Sequence, residues 1–201
     1  MNFLAHLALS GNNDKIKTGN FIGDWVKGSI EKHTHFPDKI LQGIAMHRQI
    51  DSYTDSHPVY KLSAAKFKPA FGRYAGIITD VVYDHFLAVQ WNKFSNQSLN
   101  AFSKNCYLAF LANFIYLPAD VKMFLPFMIA GNRLTSYAKL EGIRKALDIM
   151  VRHSSLTHGG SVALPVIQDN YEELTQEFNQ FFAEIKHFME EKYNIQILHY
   201  L

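Results

Sequence analysis

Histidines and aspartates recur at helical spacing in two stretches of this chain, and a further aspartate stands between a glycine and a tryptophan. In Met46–Asp55, His47, Asp51 and Asp55 are spaced by four, which sets them on one side of a helix about one turn apart. In Ile77–Leu87, Asp80 and Asp84 again share a side, and His85 lies about a hundred degrees round from Asp84. Ile, Val, Tyr, Phe and Leu surround these acids, and an unpaired carboxylate in such a setting loses its hydration at high cost. A cation, basic side chains or simple exposure must compensate them. Imidazole with carboxylate and no thiolate is the donor set of manganese, iron, magnesium or a catalytic zinc. Bundle proteins build such sites from facing helices. The competing reading of each pair is a surface or capping interaction, and spacing alone does not separate the two.

Asp24 sits in the small-residue run Thr18–Gly28, which allows close approach of backbone or ligand, although a helix cap is the alternative there. Taken alone, His6 in Asn2-Phe3-Leu4-Ala5-His6-Leu7 reads as a core histidine with hydrogen-bonded nitrogens.

The elements that must position these groups are helical. The stretch Thr135–His153 carries Leu140, Ile143, Leu147 and Met150 in steps of three and four. From Asp169 onward, Tyr171, Leu174, Phe178, Phe181, Ile185 and Phe188 form a stripe opposite a glutamate-rich face. Two more helices are expected from about Pro37 to Asp55 and from about Gly72 to Phe94, with Pro37 and Asp38 suited to a helix start. No clean two-residue alternation appears. The pattern predicts an all-α fold, a single multi-helix bundle of seven to nine helices, with residues 1–201 as one domain.

Composition narrows the function classes. The chain has 201 residues, 48% hydrophobic, enough for one core. A formal net charge of +2 gives no bulk signal for nucleic acid, so none is expected as a partner. The single Cys106 excludes an internal disulfide and a cysteine zinc cluster, and fits a reducing cytoplasm. The apolar run Tyr107–Leu117 is too short to span a bilayer, and Met1–Ser10 lacks the basic start of a signal peptide. The expectation is a cytoplasmic protein with no membrane span.

These residues resemble those of the bacterial acyl carrier protein phosphodiesterases. The matching pieces are Met1-Asn2-Phe3-Leu4-Ala5-His6-Leu7, Gly19-Asn20 followed by Asp24 and Gly28, Met46-His47-Arg48 with Ile50-Asp51 and Thr54-Asp55, and Asp80 with Asp84-His85-Phe86-Leu87 and Trp91. Order and spacing agree over roughly the first half of the chain; the second half matches loosely. Some members carry a second His where this sequence has Ala45. The family is regarded as an unusual relative of the HD phosphohydrolases, so an HD-like helical domain is implied. Here the adjacent His-Asp pair is written Asp84-His85, in reverse order.

The resemblance implies hydrolysis of the phosphodiester joining 4'-phosphopantetheine to a serine of holo acyl carrier protein. It implies a divalent metal, manganese first, with magnesium or iron as alternatives, held by Asp24, His47, Asp84 and His85. Arg48 would offset charge on the phosphoryl oxygens, or else pair with Asp51 or Asp55. His6 would protonate the leaving serine oxygen or orient a ligand. Asp51 and Asp80 are orienting groups or further ligands. Carrier proteins are acidic, and Val59–Thr79 contains Lys61, Lys66, Lys68 and Arg73 with no acid, so that cluster is the expected landing surface, a solvated basic face being the alternative. Two rival functions remain at this point: an HD-like metallophosphohydrolase of nucleotides or other small esters, and a non-enzymatic helical binding module.

Overall fold

The computed structural model describes residues 1–153, 156 and 158–198. Among these residues the chain is all-α, with no strand. Helices α1 (Phe3–Ala8), α2 (Asp14–Phe21) and α3 (Asp38–Ser56) are followed by α4 (Pro58–Phe71), α5 (Ala75–Val89) and α6 (Leu99–Ala112). Then come α7 (Ala119–Ala130), α8 (Arg133–Ser136), α9 (Leu140–His153), α10 (Gly160–Asp169) and α11 (Tyr171–Tyr193). None of the described helices is long and apolar enough to cross a membrane.

Local chemistry sets the ends of the elements that matter most. The Asn13 side chain accepts from the backbone N–H groups of Lys15 and Ile16 and so starts α2. Pro37 stands just before α3 with φ −60°, and Asp38 meets the positive end of its dipole. The helices α2 and α3 cross at backbone contact. A β-carbon on Gly19 would lie 2.1 Å from the Ile40 carbonyl oxygen, and one on Gly43 would lie 2.2 Å from that of Ile16. Only glycine permits this crossing. Along α11, Leu174, Phe178, Phe181, Phe182 and Ile185 are fully buried, and the helix packs on α3, α4 and α5.

Where the elements depart from the periodic pattern, the cause is local. The expected Gly72–Phe94 helix is trimmed to α5 between two short 3-10 turns, because Gly72, at φ +53°, ends α4 and Gln90 ends α5. The Thr135–His153 run breaks into α8 and α9 where Tyr137 turns fully inward and its carbonyl accepts from His85 Nδ1. Such breaks raise the number of helical segments above the seven to nine expected.

Candidate metal centre

The close α2–α3 crossing fixes where His47 can be. Its ring lies against Gly23, where a β-carbon would come 2.2 Å from Cγ, so the turn carrying Asp24 runs directly over the imidazole. That turn (Gly23–Trp25) is held by an aromatic stack: Trp25 against Phe3 and Phe124, and Phe21 against Phe110. Helix α1 delivers His6 to the same place, its ring stacked 4.1 Å from that of His47. Asp51 follows His47 by one turn of α3, as the spacing predicts.

The side-chain ends converge. His6 Nε2 lies 3.1 Å from Asp51 Oδ1, and His47 Nε2 lies 3.1 Å from Asp51 Oδ2 and 3.3 Å from Asp24 Oδ1. One donor atom from each of His6, His47 and Asp51 falls within 4.8 Å of the others. Both imidazoles are buried, while the side chain of Asp24 is 64% exposed. A cavity of about 20 Å³, room for one water-sized species, is lined by Met1, Asn2, Phe3, His6, Asn20, Phe21, Asp24 and His47.

Hydrogen bonds fix the tautomers of both rings. The Asn20 amide nitrogen donates to the His6 carbonyl (2.9 Å) and to Ser10 Oγ (2.8 Å), so its oxygen accepts from His6 Nδ1–H at 2.9 Å. His47 Nδ1–H donates to the Asn20 carbonyl at 2.8 Å. In their neutral forms both rings therefore present Nε2 lone pairs toward carboxylate oxygens, acceptor facing acceptor. For His6 Nε2 the result is a buried nitrogen with no hydrogen-bond partner. Something positive belongs between these atoms. Without a cation, a proton on His47 serves: burial opposes it, but Asp24 and Asp51 outweigh burial and push the pKa up to about 9. Burial holds the His6 pKa below the ordinary imidazole value, with the His47 charge adding to it. Asp51 is driven well below the usual carboxylate range: burial opposes this, but the two imidazoles that face it, His47 first, prevail. His47 likewise lowers Asp24.

Asp84 and His85 are not brought into this cluster. Both oxygens of Asp84 accept from the start of α1, from Leu4 N–H at 2.8 Å and Ala5 N–H at 2.9 Å. Burial pushes its pKa up to about 7 against the pull of those two donors. His85 donates through Nδ1 to the Tyr137 carbonyl (2.7 Å) and accepts at Nε2 from the Tyr171 hydroxyl (3.0 Å), which leaves no lone pair for an ion. Asp80 stands beside the cluster, accepting from Tyr60 at 2.7 Å and pairing with the α-amino group of Met1 at 3.0 Å. That amino group is also 3.7 Å from Asp51. Arg48 donates to the Val26 carbonyl at 2.9 Å and so braces the loop that follows Asp24. Asp55 is exposed. Of the basic cluster on α4 and the turn after it, Lys66 pairs with Glu177 (2.6 Å) and Glu173 (3.2 Å), and Arg73 lies over Tyr74. Lys61 and Lys68 are exposed on the same helix.

Asn20, whose side chain and carbonyl orient both imidazoles, is absent from the helical-spacing argument because its partners come from two other elements. The only signal for it in the sequence is its place in the Gly19-Asn20 pair.

A family model described as "Acyl carrier protein phosphodiesterase" matches residues 1–185. A curated protein of that name from Photorhabdus laumondii subsp. laumondii is 32% identical over 183 residues, covering 90% of this chain and 91% of the relative. One from Yersinia pestis is 30% identical over 183 residues, covering 90% and 94%. One from Salmonella agona is 41% identical over 95 residues, 47% of this chain and 48% of the relative. No solved structure matches the chain.

Proposed function

The chain belongs to the acyl carrier protein phosphodiesterase family, and on that footing we propose that it hydrolyses the phosphodiester joining 4'-phosphopantetheine to the serine of holo acyl carrier protein. The observation that carries the chemistry is the orphaned, buried His6 Nε2 beside Asp51, where His47 Nε2 also meets Asp51 and Asp24. That donor set fits a divalent cation, manganese first, with magnesium or iron(II) as alternatives. We assign it to His6, His47, Asp51 and Asp24 rather than to Asp84 and His85, whose polar atoms are spent on α1, Tyr137 and Tyr171. A divalent ion bound there supplies Lewis-acid polarisation of a phosphoryl oxygen and a lower pKa for water.

The protein's own groups prepare the rest. Asn20 holds both imidazoles in the tautomer that turns Nε2 to the site. The aromatic stack of Phe3, Trp25 and Phe124 shields one side of the carboxylate turn. Asp24, the exposed member, marks the side from which a phosphodiester enters. Asp80, held by Tyr60 and the Met1 amino group, keeps a second carboxylate beside Asp51. His6, turned by Asn20 so that Nε2 meets Asp51, is placed as a ligand and not as the proton donor to the leaving serine oxygen. A single cysteine, which allows no internal disulfide, fits a reducing cytoplasmic location.

The test is direct: incubate the protein with holo carrier protein and manganese, and follow by mass the loss of the phosphopantetheine arm. Release of the arm in wild type and its absence in Asp51→Asn supports the reading; an intact carrier beside hydrolysis of a nucleotide panel would replace the substrate.

A further inference from the structure

Next to the site the surface is unusually apolar. On the outer face of α6, Lys104, Leu108 and Leu111 follow one another at spacings of four and three, and the turn after the helix adds Phe114 and Ile115. On α7, Met123 and Phe127 are one turn apart. Leu108 is 63% exposed, Ile115 77%, Met123 68% and Phe127 79%, far more than large side chains in a self-sufficient core would leave to water. The turn after α6 meets the start of α7 where Lys122 Nζ sits over the Phe114 ring at 5.3 Å. They are continuous with the candidate centre: Phe124, between Met123 and Phe127 in sequence, stacks on Trp25 at 5.7 Å, and Trp25 is the neighbour of Asp24.

Charge on this part of the chain is one-sided. Between residues 86 and 140 the charged side chains are Lys93, Lys104, Lys122, Arg133 and Lys139, against a single acid, Asp120. The glutamates that neutralise Lys66 on α4 have no counterpart here. Lys104 stands on the α6 row and Lys122 beside Phe114, with Asp120 the one acid of α7; apolar side chains with a basic excess suit an acidic protein partner, the charges speeding encounter and the apolar groups holding the complex.

We propose that the α6–α7 face, built on Leu108, Leu111, Ile115, Met123 and Phe127, is where the enzyme docks the acidic carrier protein whose phosphopantetheine serine it delivers to Asp24. This rests on the function proposed above and adds to it the surface that selects the substrate. It moves the docking site away from the lysines of α4.

The experiment compares two substrates of the full-length protein in manganese: holo carrier protein, and a short serine peptide bearing phosphopantetheine that is too small to reach the face. For Leu111→Glu and for Phe127→Glu, each at an exposed position, the ratio of carrier to peptide kcat/KM falls about tenfold or more, and Phe127→Leu keeps the wild-type ratio. An unchanged ratio in both glutamate variants, with wild type active on both substrates, overturns the docking surface alone. A wild type that releases no arm from either substrate removes the functional reading, and the surface with it. Sedimentation that shows a wild-type dimer dissolved by Phe127→Glu would assign the face to a second copy. Binding of wild type to anionic phosphatidylglycerol vesicles, lost in both variants, would assign it to a membrane. Either result overturns the proposal.

Discussion

His6 and His47 each turn a lone pair toward carboxylate oxygens, and Asn20 is the residue that makes them do so. Its role predicts that Asn20→Ala weakens manganese binding by about 10–100-fold, because His6 loses the side-chain acceptor that fixes its tautomer while His47 keeps the backbone carbonyl of residue 20; calorimetric titration measures this directly. His47 adds a pH signature. With its pKa near 9 in the absence of an ion, the ring is protonated at neutral pH and must lose that proton before Nε2 can ligate. Cation affinity therefore rises with pH, about tenfold per unit between pH 7 and 9, and levels off above. His6, whose pKa is lowered, contributes no such proton. Titrations in two buffers of different ionisation enthalpy should show about one proton released per ion at pH 7. A pH-independent affinity over that range would sink the assignment of His47.

At the scale of elements, the centre depends on how α1, α2 and α3 are locked together. Asp84 works through α1: it receives the first free N–H groups of the helix that carries His6, the arrangement expected of a carboxylate at a helix start. Asp84→Ala leaves two buried donors without acceptors, at roughly 1–3 kcal/mol each, and frees α1 to shift. Both thermal stability and hydrolysis should fall, and added manganese should restore only part of either. Gly23 gives the complementary case. A methyl group there meets Cβ and Cγ of the buried His47, so Gly23→Ala should displace the ligand and drop metal affinity sharply, with a loss of stability beside it because the root of the side chain must shift. Gly43→Ala instead drives a methyl into the Ile16 carbonyl, and denaturant unfolding should show it to be the more damaging change to the fold.

For the molecule as a whole, the net charge of +2 conceals a division: carboxylates gather at the centre while residues 86–140 carry a basic excess. A cation that binds only the folded chain stabilises it by about 2.7 kcal/mol at roughly 100 times its Kd. For a chain of this size that raises Tm by about 5–10 °C, and a chelator should reverse the shift and abolish hydrolysis together. Much of this protein was legible in its residues. Three- and four-residue periodicity dictates the helices because each must bury an apolar stripe, and the spacing of His47 and Asp51 already places both on one side of α3. Asp24 was singled out by its glycine and aromatic neighbours, and it does lie over His47. The partners of Asp84 and His85 could not be read in the same way. Adjacent residues on a helix point about a hundred degrees apart, and which of those directions meets the start of α1, the Tyr137 carbonyl or a vacant lone pair is decided by how distant segments pack. His6 shows the reverse: as a single imidazole among apolar neighbours it carries no signature, and only the crossing of α1 with α2 and α3 sets its Nε2 beside Asp51. Sequence periodicity thus determined the helices and the donor types, whereas the choice of which donors meet belonged to the tertiary packing, because a shared site is a relation between elements that no single stretch contains.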